Sequence, residues 1–299
     1  MDYATWSLVV DGGALGGLDD RGEGPDVLFL HTAGMSALTW GPVMSLLPDL
    51  HCVALDLRGH SLSATAPVLD AGDNWRDGRR VVDGLGLRTP VVVGHNTGAF
   101  MALAAAADDP DLVRAVIAFE LGLPFDSREK VHEELQLAQS ESFMDDLCAR
   151  FGFGQVVASE RDAEQAGAAR AATRSSDWIL AEADDAIAEE TRYAFVQQAD
   201  GTWLHTPDRE TLRTLYRIGV DGPYFPNAHM YDLVDVPLHL VQAEGGIITL
   251  TCEELEQLRA RRPDIHVHAI EGAHLAHRSH ADQLAQIIRD VVQSDVVQS

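Results

Sequence analysis

The stretch Pro90–Ala107, with the sequence PVVVGHNTGAFMALAAAA, decides the fold of this 299-residue chain. Its first four residues form a short apolar run that is typical of a buried β-strand. Its last nine residues, from Ala99 onward, strongly favour an α-helix. Two glycines between these runs, Gly94 and Gly98, permit a sharp backbone turn. The stretch therefore predicts a strand, a tight turn and a helix in direct succession.

The turn reads Gly94-His95-Asn96-Thr97-Gly98, which matches the pattern G-x-S-x-G except that asparagine stands in the place of serine. In that pattern a strained bend lifts the central side chain above the edge of the sheet. Asparagine tolerates left-handed backbone better than most residues, so the bend survives the exchange. A carboxamide, however, cannot be deprotonated by an imidazole to give a usable nucleophile. The pattern predicts an active-site turn whose usual chemistry is altered at Asn96.

The remaining sequence predicts two domains, one of which interrupts the other. Short β-rich runs alternate with helical runs in the first and last parts of the chain, which predicts a parallel sheet covered by helices. Between them the β signal fades, and segments rich in Ala, Glu and Asp predict helices. We expect an α/β core domain over residues 1–120 and 234–299, interrupted by a helical cap over residues 121–233. The predicted strands are 7–10, 14–19, 27–31, 52–57, 91–93, 115–119, 238–243 and 265–270, and the predicted helices are 40–47, 75–85, 98–107, 128–149, 160–172, 178–197, 206–216, 252–260 and 281–292.

Charge and composition exclude several classes of partner. The net charge of −25 repels phosphate backbones and anionic lipid surfaces, so we expect neither nucleic acid nor a membrane as a partner. No apolar run approaches the ~20 residues needed to span a bilayer. The three cysteines, Cys52, Cys148 and Cys252, form no CxxC pair, which indicates a reducing compartment without a zinc site. Because the first residues also lack the features of a signal peptide, we expect a cytoplasmic protein.

Four local patterns, in this order, resemble the α/β-hydrolase family, and the resemblance covers nearly the whole chain. The segment His31-Thr32-Ala33-Gly34 follows the third predicted strand, where the family has an H-G opening. The segment DLRGHSLS, from Asp56 to Ser63, is similar to the family's D-x-R-G-H-G-x-S turn, with Ser61 replacing a glycine. The turn at Asn96 is the third pattern. The fourth is Glu271-Gly272-Ala273-His274, similar to the segment that places the family's catalytic histidine after its last strand.

The resemblance implies a catalytic base and offers two candidates for the acid that orients it. His274 matches the base, and Asn96 occupies the position of the nucleophile. Many members place an aspartate where this chain has Gly246, with Glu244 two residues earlier. A subset of ester- and lactone-hydrolysing members, similar to the zearalenone-lactone hydrolases, has a glutamate directly after the strand that follows the turn, where this chain has Glu120. We favour Glu120 over Glu244 because it keeps the order of nucleophile, acid and base, and because a buried glutamate needs a partner.

The resemblance also implies two backbone donors for an oxyanion, the N–H groups of Ala33 and Thr97. It implies a small, largely apolar, oxygenated substrate and no cofactor, and the sequence shows no spacing typical of a metal site. A homodimer is compatible with the sequence.

Four interpretations of Asn96 remain open on the sequence alone. The first is a hydrolase of the ester or lactone type that has lost or changed its nucleophile. The second is a lyase, cyclase or isomerase that uses only the base at His274, oriented by Glu120. The third is a pseudoenzyme that binds a small ligand without turnover. The fourth is deamidation of Asn96 to the aspartate nucleophile used by dehalogenase-like and epoxide-hydrolase-like members.

Overall fold

Eleven strands and eleven helices are found in the computed structural model, which describes residues 3–68, 70, 72–173, 177, 179 and 186–294. The strands are β1 (Ala4–Val10), β2 (Gly13–Asp19), β3 (Asp26–Leu30), β4 (His51–Asp56), β5 (Val91–His95), β6 (Ala115–Phe119), β7 (Val156–Val157), β8 (Phe195–Gln197), β9 (Trp203–His205), β10 (Leu238–Gly245) and β11 (His266–Ala273). The helices are α1 (Gly41–Met44), α2 (Gly72–Leu85), α3 (Thr97–Asp108), α4 (Arg128–Ala138), α5 (Glu141–Phe151), α6 (Glu160–Thr173), α7 (Ile187–Tyr193), α8 (Arg209–Leu215), α9 (Cys252–Arg261), α10 (Ala276–Ser279) and α11 (Ala281–Ser294).

Eight of these strands form one central sheet in the order β1-β2-β4-β3-β5-β6-β10-β11. The first three strands in this order pair antiparallel, and all the later pairs are parallel. The mostly parallel, helix-flanked sheet predicted from the sequence is therefore confirmed. Strand β5 lies inside the sheet, so the turn that follows it is at the carboxyl edge of a central strand, where ligands of α/β proteins commonly bind.

Strand β5 is buried on both faces. Val92 packs into a hydrophobic layer that includes α2 and α3, whereas Val91 and Val93 pack into the layer that includes α1 and α11. A strand covered on both faces reads as a continuous apolar run, which is the pattern that the sequence shows at this point. The same burial anchors both ends of the turn at Asn96.

The segment between β6 and β10 departs from the sequence-based expectation in three places. It holds a small antiparallel sheet, β7-β9-β8, which the sequence analysis missed because strands of two or three residues are too short to show alternation. The helix predicted over 128–149 is two helices, because Ser140 caps a new one by accepting the N–H of Phe143. The helix predicted over 178–197 falls partly outside the described residues, and within them it ends at Tyr193, before β8.

All three cysteines are free thiols, and Cys52 is buried in the sheet. Within the residues that the structure describes, no helix is long and apolar enough to cross a membrane.

Candidate active site

The turn at Asn96 has a strained backbone. Its φ of 47° and ψ of −107° lie in a region that residues other than glycine rarely adopt. Two hydrogen bonds hold it there: the N–H of Asn96 donates to the carbonyl of Phe119 (2.9 Å), and its carbonyl accepts from the N–H of Phe100 (3.0 Å). The bend therefore depends on both the neighbouring strand β6 and the first turn of α3.

Both glycines of the turn are required by close packing. A Cβ atom at Gly98 would lie 2.3 Å from the carbonyl oxygen of Leu30, and one at Gly94 would lie 2.4 Å from the carbonyl oxygen of Gly98. Backbone atoms cannot move aside as a flexible side chain does. The G-x-N-x-G pattern is thus explained by contact between α3 and the ends of β3 and β5.

This packing gives a first prediction. Gly98→Ala should lower the free energy of unfolding by about 3 kcal/mol, because the added methyl group overlaps backbone in a filled core. The control is Gly78→Ala in α2, where the new Cβ would make an ordinary 3.5 Å contact with Ala105, so that a gain of about 0.5–1 kcal/mol is expected from helix propensity. Urea denaturation of both variants checks this; equal effects would show that the turn does not need glycine at position 98.

Glu120 and His274 form a buried pair beside this turn. Oε2 of Glu120 lies 3.3 Å from Nδ1 of His274, and the glutamate is fully buried. Its two carboxylate oxygens also accept the N–H groups of Ala243 (2.9 Å) and Ile247 (3.1 Å). An ionised carboxylate only accepts hydrogen bonds, so Nδ1 of His274 is the donor, and in the neutral ring the lone pair is then on Nε2. The pair has the arrangement of a general base and the acid that orients it.

The structure distinguishes clearly between the two candidate acids, Glu120 and Glu244. Glu244 is exposed, whereas the carboxylate of Glu120 occupies the space in front of Gly246. A Cβ atom at Gly246 would lie 2.2 Å from Oε1 of Glu120 and 2.5 Å from Oε2. A side chain at position 246 would therefore need space that the carboxylate of Glu120 fills. Glu120 itself has a left-handed backbone (φ 52°) directly after its strand.

The loop that carries Ala33 is fixed by two buried histidines. His31 donates from Nδ1 to the carbonyl of Thr32 (2.8 Å) and accepts at Nε2 from the N–H of Leu57 (2.9 Å). His60 accepts at Nε2 from the N–H of Gly34 (3.1 Å). Both rings must therefore be neutral, and burial lowers the pKa of His60 to about 4 and that of His31 well below its usual value. Sequence reasoning treated these residues only as parts of motifs and missed their role in positioning the loop.

Asp56 ties the same loop to the segment between β6 and β10. One carboxylate oxygen accepts the N–H of Ala37 (2.7 Å), and the other accepts the hydroxyl of Tyr193 (2.6 Å) and the N–H of Leu62. Burial raises the pKa of Asp56 to about 7 in spite of these donors. Nearby Ser61, which replaces a glycine of the motif, has a φ of 39°, so the family's preference for glycine there has a conformational cause.

The buried histidines give a second prediction: the free energy of unfolding should fall as the pH drops from 7.5 to 5. Burial keeps the pKa of each below about 6.5, the value expected in the unfolded chain, so the unfolded state binds more protons in this range. Three groups bind protons in the folded state and oppose this, but they are fewer: Asp56 and Asp77, whose pKa values burial raises, and His51, whose pKa is raised, in spite of burial, by the neighbouring Asp26 and Asp19. We expect a net loss of ~2–4 kcal/mol in urea denaturation; equal or greater stability at pH 5 would contradict it. The histidines concerned are His31, His60, His95, His205 and His277.

Two cavities meet at Asn96. The first chamber, of about 160 Å³, contains the polar groups of the site, and the second chamber, of similar volume, is mainly apolar. The residues common to both are Asn96, Thr97 and Tyr216. The first chamber is also lined by Thr32, Ala33, Arg170 and His274, and the second by Trp75, Phe100, Met101, Leu121 and Leu135. Together they reach the lower end of the ~300–1,000 Å³ range of small-molecule sites.

The structure thus brings most of the sequence-predicted site residues together. Asn96, His274, Ala33 and Thr97 line the first chamber, and Glu120 lies behind His274. Thr97 begins α3, so its N–H has no partner within the helix and is available to a ligand. The sequence analysis did not identify the guanidinium in the same chamber, which comes from the distant helix α6.

One cluster elsewhere has the residue types of a cation site. Among the described residues, Asp19, Asp20 and His51 are close enough to share an ion. Both ring nitrogens of His51 already bond to carboxylates, Nδ1 to Asp26 (2.6 Å) and Nε2 to Asp19 (3.2 Å). These bonds account for the cluster, and none of its members lines either chamber.

Comparisons with known proteins agree with this fold. The model of the alpha/beta hydrolase family matches residues 27–287. The 2-(acetamidomethylene)succinate hydrolase of Mesorhizobium japonicum is 35% identical over 103 residues, which are 34% of this chain and 37% of that protein, so the match spans little more than a third of the relative's length. The serine hydrolase-like protein of Danio rerio is 24% identical over 290 residues, which cover 91% of this chain and 82% of that protein.

The solved structures show the same fold. A crystal structure of E-2-(acetamidomethylene)succinate hydrolase superposes with a TM-score of 0.72 at 22% identity, over 97% of this chain and 99% of that chain. With the family model matched from β3 to α11, the chain belongs to the α/β-hydrolase family.

Proposed function

We propose that this chain is a diverged hydrolase of the ester or lactone type, with Asn96 at the position of the nucleophile. The observation that carries the proposal is the location of Asn96 at the junction of two chambers, in front of an intact pair of His274 and Glu120. An ester or a lactone has two arms that meet at the scissile carbonyl. A junction of two small chambers suits such a molecule, with its carbonyl at Asn96 and one arm in each chamber.

The segment over residues 121–233 acts as the cap in this proposal. Leu135 of α4, Leu147 and Phe151 of α5, and Leu212 of α8 line one chamber or the other. Their apolar side chains keep bulk water out of the junction, which strengthens the polar contacts there. The partner is accordingly a small molecule, and no cofactor takes part in the proposed reaction.

Asn96 binds an oxygen of the substrate rather than attacking its carbonyl. The hydroxyl of Thr97 donates to Oδ1 of Asn96 (3.2 Å), which leaves the amide NH₂ group as a donor. That donor and the N–H groups of Ala33 and Thr97 stabilise negative charge on the carbonyl oxygen as it develops. His274, oriented by Glu120, removes a proton from a water molecule that attacks the carbonyl carbon directly. The tetrahedral intermediate then collapses as its bond to the alcohol oxygen breaks, and His274 returns the proton to that leaving oxygen. The acid and the alcohol form without an acyl-enzyme.

Single-turnover and labelling measurements on the parent chain test this proposal. Hydrolysis of p-nitrophenyl acetate should be slow and linear, without a burst, because no covalent intermediate accumulates. His274→Asn should lower the rate ~10²–10⁴-fold, the usual contribution of a positioned base. In ¹⁸O-labelled water the product acid should contain one labelled oxygen.

The same measurements address the second candidate, a lyase, cyclase or isomerase that uses only proton transfer. The observation that favours it is an intact base beside a side chain that cannot be a nucleophile. Such an enzyme would convert its substrate without taking up ¹⁸O, and His274→Asn would leave the slow esterase rate unchanged. A silent binding protein would show neither labelled product nor a His274-dependent rate.

A further inference from the structure

We infer that the first chamber recognises a carboxylate on the substrate through Arg170, while the second chamber takes an apolar arm. The inference deepens the proposed function and rests on it, because it assigns a chemical class to the molecule that binds at Asn96. It makes the substrate an acidic ester, lactone or amide, charged at one end only.

The guanidinium of Arg170 is held in place but is not fully satisfied. Its Nη1 atom donates to the carbonyl of Phe151, and the guanidinium carbon lies 5.2 Å from the centre of the Phe151 ring. Its Nε atom is buried and has no hydrogen-bond partner among the described residues. A buried donor without an acceptor costs free energy, which an acceptor atom of a ligand in the chamber would recover. The side chain is therefore pre-organised for a ligand with oxygen acceptors.

The carboxylates near Arg170 on the described residues are bonded to other arginines. Its two carboxylate neighbours, Glu190 and Asp177, are each engaged by another guanidinium. Glu190 forms a buried ion pair with Arg278, and Asp177 accepts two bonds from Arg150 (2.5 and 2.7 Å). Burial lowers the pKa of Arg170, but an arginine stays charged at neutral pH, so its guanidinium would attract an anion bound in the first chamber.

The size and lining of the chambers select the kind of anion and where it binds. A chamber of about 160 Å³ that also accommodates the reacting carbonyl has room for a carboxylate on a short chain. Thr32 and Tyr216 line the same chamber and supply further polar groups for it. The second chamber is lined mainly by Trp75, Met101 and leucine side chains, which would leave a charge desolvated and unpaired. The two arms of the substrate are therefore distinguished by charge.

Calorimetric titration of the parent chain with two stable amides tests the inference without requiring turnover. The probes are glutaric acid monoanilide, which has a carboxylate, and pentananilide, a neutral analogue of the same length. We expect the parent to bind the acid ~10–100-fold more tightly, as is typical of a charge-assisted contact in a desolvated site. Arg170→Gln should remove this preference, and pentananilide should bind within about threefold of the parent.

The matched control is Arg161→Gln, an exposed arginine on the same helix α6, which should leave both affinities unchanged. Arg170→Lys keeps the charge but lacks the Nε donor, and it should lose at least ~3-fold for the acid, so the inference stays testable if the glutamine variant fails to fold. Equal binding of the two probes by the parent, or an unchanged preference in either Arg170 variant, would overturn the inference.

The role of Arg170 and the proposed hydrolase function can be contradicted independently of each other. One outcome is that Asn96→Ser hydrolyses neutral and acidic esters equally while the parent binds both probes equally. That outcome would support the hydrolase proposal and contradict the role of Arg170. If the parent prefers the acid, the Arg170→Gln variant does not, and no variant shows hydrolysis, the result would support the anion site and contradict the proposed reaction.

Discussion

Asn96→Ser should raise the rate of p-nitrophenyl acetate hydrolysis by ~10³-fold or more over the parent chain, with a burst of one product molecule per active site. The expected size reflects the large loss seen when the serine of a complete triad is removed, which this change reverses. In the proposed site, the strained turn, the buried pair of His274 and Glu120, and the backbone N–H groups of Ala33 and Thr97 would support a serine at this position. Stopped-flow absorbance measures both burst and steady-state rate.

The matched control for this change is Asn96→Ala, which removes the amide without adding a hydroxyl. It should show no burst and a rate at or below that of the parent, because the substrate oxygen loses a donor. If Asn96→Ser folds and binds pentananilide as the parent does yet shows no gain, position 96 is not the site of a latent nucleophile. A loss of native turnover in the serine variant would favour the second candidate, a lyase, cyclase or isomerase that uses only proton transfer.

The second large effect should come from moving the acid from position 120, after β6, to position 246, after β10. In the Asn96→Ser background, Glu120→Gly should lower kcat ~10³–10⁴-fold, because His274 loses the group that fixes its tautomer and stabilises its charge. Gly246→Asp alone should destabilise the fold, since the new side chain would overlap the carboxylate of Glu120. The two changes together should recover at least ~10-fold of the lost activity, because the space that Glu120 vacates then admits a carboxylate from position 246.

Moving the acid from position 120 to position 246 should also affect the free energy of unfolding. Glu120→Gly relieves the left-handed strain at position 120 but leaves the N–H groups of Ala243 and Ile247 without their acceptor. An aspartate at position 246 would supply that acceptor again. Urea denaturation of the full double-mutant cycle should therefore show a favourable coupling between the two positions. Additive effects on both kcat and stability would mean that the two side chains do not share a site.

The central part of this fold was predictable because its local signals agree. The apolar run of β5, the two glycines of the turn and the alanine-rich start of α3 each require the others, and the packing of Gly94 and Gly98 shows why. The choice of Glu120 over Glu244 followed from chain order and burial, and the observed hydrogen bond to His274 agrees with it.

Other features of the site could not be predicted because they depend on distant contacts. Nothing in the sequence around Gly246 indicates that a carboxylate from β6 occupies the space in front of it. Arg170 lies in an alanine-rich helix with ordinary surface charges, and only the three-dimensional packing brings it to the first chamber. The roles of His31 and His60 in holding the loop likewise need the hydrogen bonds to be seen.

The claim that this site lacks only its nucleophile is tested most directly by intact-mass spectrometry after treatment with a fluorophosphonate, which phosphonylates an activated serine and releases fluoride. We predict one adduct on Asn96→Ser, located by peptide mapping at the serine introduced at position 96, and none at that position in the parent. Adding His274→Asn should slow labelling ~10²-fold or more. A folded Asn96→Ser protein that stays unlabelled, or that is labelled elsewhere, would contradict the account.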